Sequence, residues 1–429
     1  MSRSFVSMAF VGLFIASACG GSGGGGAAAT STGAAATSTG AAATSAATAG
    51  VPDTMKIGYV LPLSGADAKS GKFIEDAYKL YTKQVMDAGG LQVGGKKVKI
   101  ELKGEDNKSD AATSGNLYEK LITQDKVDLL LGGYNTTLVT QEVKVANRYK
   151  MPYVNGGGAS ASIYKDNTWA FGVLAPIEAL AQTELDFIKT QQDANKLPKP
   201  LTMAVVYENT SHGKEFSQGL QDGAKAAPDR FKVLFNEPFD LNGKDFSALL
   251  GRVKDVNADA FMADAHLPDY ITMQRQYTQL GLYHKFITYG ARGPDKSAKD
   301  QLGAATDYIT SAVWFDQQQP GAAVKKWLDT WKTTGDDPEW YAAAGWETVR
   351  ILYAAIQKAG TIDKQKVRDT LASNSWGDSI FPGGTIKFDK SGQATNVYVM
   401  TQNLPGGKTI LIWPKEEATG DPVMPTPKK

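Results

Sequence analysis

The chain has 429 residues, 42% hydrophobic and 21% charged, which is the balance of an ordinary soluble fold. Its 46 Lys and Arg stand against 45 Asp and Glu, and a net charge of +1 gives no electrostatic footprint for nucleic acid. One cysteine rules out an internal disulfide, and the three histidines, His212, His266 and His284, lie too far apart in sequence to suggest a preformed metal site, so no metal or cofactor is expected.

The chain opens with Arg3 and an apolar run from Phe5 to Ile15, too short to span a bilayer but of the length of a secretory h-region. Ala16, Ser17 and Ala18 are the small residues a signal peptidase needs, and "IASAC" resembles the bacterial lipobox. Residues 1–18 are therefore expected to be a signal peptide and Cys19 the site of lipid attachment. In residues 19–54 "GAAATST" recurs from Gly26 and Gly33, with a near copy from Gly40. Gly, Ala, Ser and Thr offer no large apolar surface to offset their ordering entropy, so this stretch reads as a flexible linker. About 30 such residues reach roughly 30 Å, enough to hold a folded domain clear of a membrane.

The folded part begins with the strand "MKIGYVLPLSG". The helix "GKFIEDAYKLYTKQVMDAGG" follows, with Ile74, Tyr78, Tyr81 and Val85 on one face and Gly89-Gly90 closing it. Next come the strand "KKVKIEL", the helix "AATSGNLYEKLITQD", the strand "VDLLLGG", the helix "TTLVTQEVKVANRYK" and the strand "MPYVNGGG". Alternation at this spacing is that of βαβ crossovers and predicts a parallel sheet. After a weaker stretch near "FGVLAPIEALAQTELDFIKTQ" the pattern restarts, with strands in "LTMAVVYEN", "KVLFNEPFD", "ADAFMADA" and "KFITYG" separated by helices. Two runs in about 375 residues predict an α/β protein of two doubly wound, Rossmann-like lobes. Trp- and Ala-rich helices follow "YITSAVWFD", among them "PEWYAAAGWETVRILYAAIQKAG". The end, "GGTIKFDKSGQATNVYVMTQNL", reads as paired strands joined through a turn at Ser391-Gly392.

In a doubly wound sheet, ligands bind beyond the carboxyl ends of the strands. In the first run those loops are "LPLSGADAKSG", "GGYNTT" and "NGGGASAS"; in the second they are "YENTSHG", "DAHLPD" and "YGARG". Hydroxyls and backbone N–H groups at helix starts bind anions such as carboxylates, which makes Thr136, Thr137 and Ser160 the leading candidates, with Tyr134 beside them. The competing reading is that Ser and Thr cap helices and Gly makes turns. Their joint placement at strand ends in both runs favours a cleft. Enzyme signatures are poor. "SIYK" (Ser162 to Lys165) has S-x-x-K spacing without its K-T-G or S-D-N partners, and "GGKT" near Lys408 lacks the first glycine of a P-loop. Trp327, Trp331, Trp340 and Trp346 fit core stripes at helical spacing.

The stretches "KIGYVLPLSGADAKSG", "DAGGLQVGGKKVKIELKGEDNKSD", "VDLLLGG", "MPYVNGGGAS" and the late "GGTIKFDKSGQ" resemble, in order and spacing, the leucine/isoleucine/valine-type substrate-binding proteins of ABC transporters. The resemblance runs from Met55 to about Pro414. It implies a type I periplasmic-binding fold, two lobes joined by three crossing strands. The implied lobes are 55–174 with 316–390, and 175–315 with 391–415, leaving a tail at 416–429. It also implies a small-molecule carboxylate ligand, an ABC permease as partner, and a monomer outside the cytoplasm, lipid-anchored to the cell membrane.

Carried over by position, the family's carboxylate site falls on Thr136 and on Gly157, Gly158, Ala159 and Ser160, with Ser70 covering the ligand. His212 and the loop of Ala265 and His266 match places where the family often has aromatic residues. The acid that holds an ammonium group should fall near Gly290 or Ala291, and neither can do that. Either Asp264 takes the role or the ligand has no ammonium group, because a buried ammonium needs a carboxylate or several carbonyls. In the second case an aromatic or other small acid fits, with His212, His266 or Arg292 at its far end. The leading reading is thus a binding protein for an amino acid, not an enzyme. A sensor of the same fold and a hydrolase using Ser160 or Ser162 are the readings from other classes.

Overall fold

The computed structural model describes residues 50–428; the expected signal peptide, Cys19 and the linker repeat fall outside the described residues. No helix among the described residues is long and apolar enough to cross a membrane. The first sheet contains β1 (Thr54–Leu61), β2 (Leu91–Val93), β3 (Lys96–Asp106), β4 (Leu129–Leu131), β5 (Tyr153–Asn155) and β6 (Ala170–Gly172), in the order β2-β3-β1-β4-β5-β6. All are parallel except β2, which forms an antiparallel hairpin with β3. The crossovers are α1 (Ala68–Asp87), α2 (Ala111–Thr123) and α3 (Thr136–Tyr149). Ile74 and Tyr78 of α1 are fully buried. The N–H groups of Gly89 and Gly90 bond back to Met86 and Val85, ending that helix where the sequence reading closes it.

Helix α4 (Ile177–Asp193) leads into the second sheet, which is built from β7 (Leu201–Glu208), β8 (Phe231–Phe239), β9 (Ala260–Asp264), β10 (Phe286–Tyr289) and β11 (Thr310–Val313). Its helices are α5 (Ser211–Ala226), α6 (Ser247–Val256), α7 (Leu267–Gln279) and α8 (Lys296–Leu302). The parallel strands run β8-β7-β9-β10-β11, the same winding as β3-β1-β4-β5-β6. In each sheet the second strand of the run lies outside the first, so the strand order reverses beside β1 and β7. The crevice of a doubly wound fold opens at that reversal. Next come α9 (Ala322–Trp331), α10 (Trp340–Ala359) and α11 (Lys364–Ser373), and α10 packs against α1 of the first sheet. There Tyr81 meets Trp346 edge-on at 4.8 Å, and Trp327, Trp331, Trp340 and Trp346 are all buried.

The C-terminal strands differ from the sequence reading. The turn at Ser391-Gly392 forms, with the Asp389 carboxylate accepting from Ser391 N at 2.8 Å and Gln393 N at 3.1 Å. The strands flanking it do not pair with each other beyond a single Phe388–Ala394 bridge. Instead β12 (Ser375–Trp376) pairs with β13 (Ile386–Lys387), and β14 (Val399–Leu404) lies antiparallel between β11 and β15 (Lys408–Trp413). The second sheet is therefore mixed. The physical reason is that the chain changes sheets just after the turn, so β14 finds its partners in the other sheet.

The chain passes between the sheets three times, after β6, after β11 and before β14. The Trp314 indole donates to the Ala175 carbonyl at 3.3 Å, and the Tyr398 hydroxyl donates to the same oxygen at 2.9 Å. Their rings lie 5.2 Å apart, so one residue from each crossing joins a single buried cluster. Residues beyond β15 are tied to the second sheet, with Val423 N donating to Gln402 and Thr426 N to Lys285.

Candidate functional site

The loops beyond β1, β4 and β5 face those beyond β7, β9 and β10. On the first side, Asn135 caps α3 by accepting from Leu138 N at 2.9 Å, and its amide donates to Asp67 at 2.8 Å. This fixes Tyr134 and Thr136. Thr136 is 3% exposed and its hydroxyl is buried without a hydrogen-bond partner, whereas Thr137 points to solvent. Tyr134 is buried with Ser70 beside its hydroxyl, and burial pushes its phenol up to about 12. The loop is supported from beneath by Glu142, which accepts from Ser114 at 2.6 Å, from Gly133 N at 3.0 Å and from the Tyr153 hydroxyl. Burial pushes the Glu142 carboxyl up to about 7.

Gly157, Gly158 and Ala159 are buried. A Cβ at Gly157 would stand 2.4 Å from the Tyr134 Cα, so only glycine lets these two loops pack backbone to backbone. The Gly158 N–H is taken by Asn155 at 3.0 Å, and the Ala159 carbonyl accepts from Ile177 N and Gln393. Ser160 is fully buried and its hydroxyl is already engaged: it donates to the Glu215 carboxylate and contacts the Ser162 hydroxyl at 2.8 Å.

On the facing side, Glu208 ends β7 at 1% exposure and accepts from Thr210, the N-cap of α5, at 2.7 Å. His212 Nδ1 lies 2.8 Å from Asp264 Oδ2 and 3.8 Å from Glu208 Oε1. His266 Nδ1 lies 2.6 Å from Glu208 Oε2, an ion contact out of line for a hydrogen bond. Fold topology thus joins two histidines whose sequence separation argued against a cluster. Burial opposes the charged form of His266, but Glu208 overrides it and holds the imidazole up at about 9. Burial likewise opposes the Glu208 anion, and His266 and His212 hold that carboxyl well below its ordinary range. His212 is raised above its ordinary value, with Asp264 outweighing burial.

Glu208, His212 and Asp264 place one donor atom each within 4.8 Å of the others, a set of the kind that can take a divalent cation. Within that set the His212–Asp264 contact of 2.8 Å is shorter than the roughly 3.3 Å between ligands around a tetrahedral zinc, and the neighbouring His266–Glu208 contact is 2.6 Å. They have the spacing of ion pairs.

Gly290 is where the sequence leaves the ammonium partner missing. Its φ is +54°, and a Cβ there would lie 2.7 Å from Asp264 Oδ1. The Asp264 carboxylate therefore occupies space that a side chain at 290 would need. Arg292 is 6% exposed and its guanidinium lies over Trp340 at 5.0 Å and Tyr341 at 5.4 Å. It donates to the Tyr341 hydroxyl at 2.9 Å, which donates on to Asp295 at 2.8 Å. Burial, with Glu339 nearby, pushes the Asp295 carboxyl far up. The Tyr134 ring stands edge-on to His266 at 6.5 Å and to Tyr341 at 5.4 Å, so an aromatic wall from the first side meets the charged cluster of the second.

The structure thus brings together Ser70, Tyr134, Thr136, His212, Asp264, His266 and Arg292. It turns Thr137 outward and commits Ser160 to a protein carboxylate. Sequence reasoning missed Glu208, Glu215 and Tyr341. Glu208 lies inside the flagged loop "YENTSHG", and a buried acid ending a strand was the available signal. Nothing local marks Glu215.

Residues 54–408 match the family described as periplasmic binding protein, and the chain belongs to it. A Leu/Ile/Val-binding protein homologue of Brucella abortus (strain 2308) is 22% identical over 385 residues, 86% of this chain and 93% of that one. A solved leucine-binding protein from Thermotoga maritima superposes with a TM-score of 0.73 at 18% identity, covering 84% of this chain and 99% of its own. A solute-binding protein of an ABC transporter from Rhodopseudomonas palustris, solved with 3,4-dihydroxybenzoic acid, gives 0.73 at 19% identity, covering 87% and 99%. The fold is the type I periplasmic-binding fold, these relatives are binding proteins rather than enzymes, and family membership places the chain outside the cytoplasm.

Proposed function

We propose that this family member is the solute-receiving component of an ABC importer, lipid-anchored through Cys19, and that its ligand is a small amino acid or close analogue. The observation that carries this reading is the occupation of the Gly290 side-chain space by the Asp264 carboxylate. The acid that sequence position leaves out at 290 comes instead from 264, with Glu208 beside it. On this reading the ligand carboxylate meets the Thr136 hydroxyl and the Gly157 N–H, and its ammonium meets Asp264 and Glu208 across the cleft. Tyr134, Trp340 and Tyr341 pack the side chain between them. A buried ammonium needs a carboxylate or several carbonyls, and here two carboxylates are at hand.

A second reading has its own observation. Arg292 is a buried guanidinium stacked on two aromatic rings, a setting that suits a planar acid. A thermal-shift screen of branched-chain and polar amino acids against benzoates and short amides separates the two. At a hundredfold its dissociation constant a true ligand adds about 2.7 kcal/mol, several degrees for a chain of this size. Stabilisation by benzoates alone transfers the site to Arg292. Stabilisation by none of these classes removes the small-carboxylate reading.

A further inference from the structure

Ser160 begins a short 3-10 turn, Ala161–Tyr164, on the first-sheet side, while Glu215 lies in the second turn of α5 on the other. The Glu215 carboxylate accepts from the Ser160 hydroxyl, from Ala161 N at 2.8 Å and from Ser162 N at 3.1 Å. One side chain therefore satisfies the hydroxyl and two backbone N–H groups of a turn 53 to 55 residues away, across the cleft. A turn start of this kind is an anion site. Here the anion is part of the protein. Glu178 of α4 sits beside it, and burial, with the Glu215 charge adding to it, raises the Glu178 carboxyl above its ordinary value.

We propose that Glu215 is a positioning residue that clasps the two lobes. It satisfies the donors of Ser160–Ser162 with the protein's own carboxylate, sets the fraction of molecules that are closed, and leaves the Thr136 hydroxyl and the Gly157 N–H as the ligand's end of the cleft. The proposal rests on the reading of the chain as a binder that closes two lobes. It requires no particular ligand. Charge-assisted hydrogen bonds are the strong class, and three acting together across a hinge bias a two-state equilibrium directly. Apparent affinity then follows the competent fraction.

The test measures lobe separation in the chain without ligand. Cys19→Ser removes the native thiol, and Lys144→Cys on α3 with Lys225→Cys on α5, both exposed, carry spin labels. Glu215→Gln should lower the ratio of short to long separations about tenfold, the effect of losing one charge-assisted bond. Ala161→Pro removes one donor without touching a side chain. Proline suits the first residue of a helical turn, and Ser160 already has the extended backbone (φ −70°, ψ 127°) that precedes it. It should lower the ratio by itself and add little on top of Glu215→Gln. Cooperative melting of both variants shows that the lobes stay folded. Separations that neither variant changes, or effects that add in full, overturn the clasp. Because the readout contains no ligand, this result is decided separately from the ligand screen.

Discussion

The Glu208–His266 pair makes the sign of the pH dependence of binding a test of the ligand's chemistry. In the free protein the imidazole titrates at about 9, held up by Glu208 against the opposing effect of burial. A ligand ammonium that replaces it as the partner of Glu208 returns the imidazole toward its ordinary 6.5. Between those values each binding event then releases one proton. Affinity consequently rises up to about tenfold per pH unit, and about fortyfold between pH 6.5 and 8.5, equivalent to about 2.2 kcal/mol. An acid without an amine behaves oppositely. It is favoured by the protonated imidazole, so its affinity is flat across this window and falls as pH rises through about 9. Titration calorimetry in two buffers of different ionisation enthalpy counts the protons directly. For an amino acid ligand we expect close to one proton released at pH 7.5, and none in the His266→Gln variant. Proton uptake, or a release that survives His266→Gln, refutes the displacement of the imidazole.

Gly290→Ala places a Cβ 2.7 Å from Asp264 Oδ1 on a left-handed backbone. We expect a stability loss of about 1–2 kcal/mol by urea titration, and at least a tenfold loss of affinity for an amino acid ligand. Glu142→Ala removes three hydrogen bonds and leaves the Gly133 N–H, beneath Tyr134 and Thr136, only its longer 3.3 Å bond to the Tyr153 hydroxyl, which should cost about 2–4 kcal/mol in the same assay, with Glu142→Gln retaining most of the stability. The His266 contribution to stability is fully present below about pH 6.5 and is lost as pH rises through about 9, while that of Glu208 is lost as pH falls below its ordinary carboxylate range. Melting temperature should therefore decline from pH 7 to 9.5, and His266→Gln should flatten that limb. Cys19→Ser should move the protein from the membrane fraction of expressing cells to the soluble fraction, and intact mass should show the loss of the lipid.

Two doubly wound runs were legible in the sequence because helix and strand periodicity are local. In α1 the burial of Ile74 and Tyr78 is a property of one helix, and in β4 the run Leu129–Leu131 is buried on both faces whatever follows. The loops that could carry a site were legible for the same reason, since a strand end is identified by the residues around it. The late strands were not. The residues of β14 have strand character, but whether they pair back across the Asp389 turn or cross to β11 depends on where the chain changes sheets.

The sequence by itself thus determined the elements, the two-lobed alternation and the set of polar loops. Tertiary structure alone decided which of those groups meet. His212 and His266 lie 54 positions apart and become neighbours because β7 and β9 are adjacent in the sheet. Asp264 can supply the charge absent from position 290 because β9 and β10 are adjacent as well. Ser160, a reasonable ligand contact when read along the chain, is committed to Glu215 from the opposite lobe. Periodicity reports burial along one element. Charge pairing across a cleft depends on distances that no single element contains.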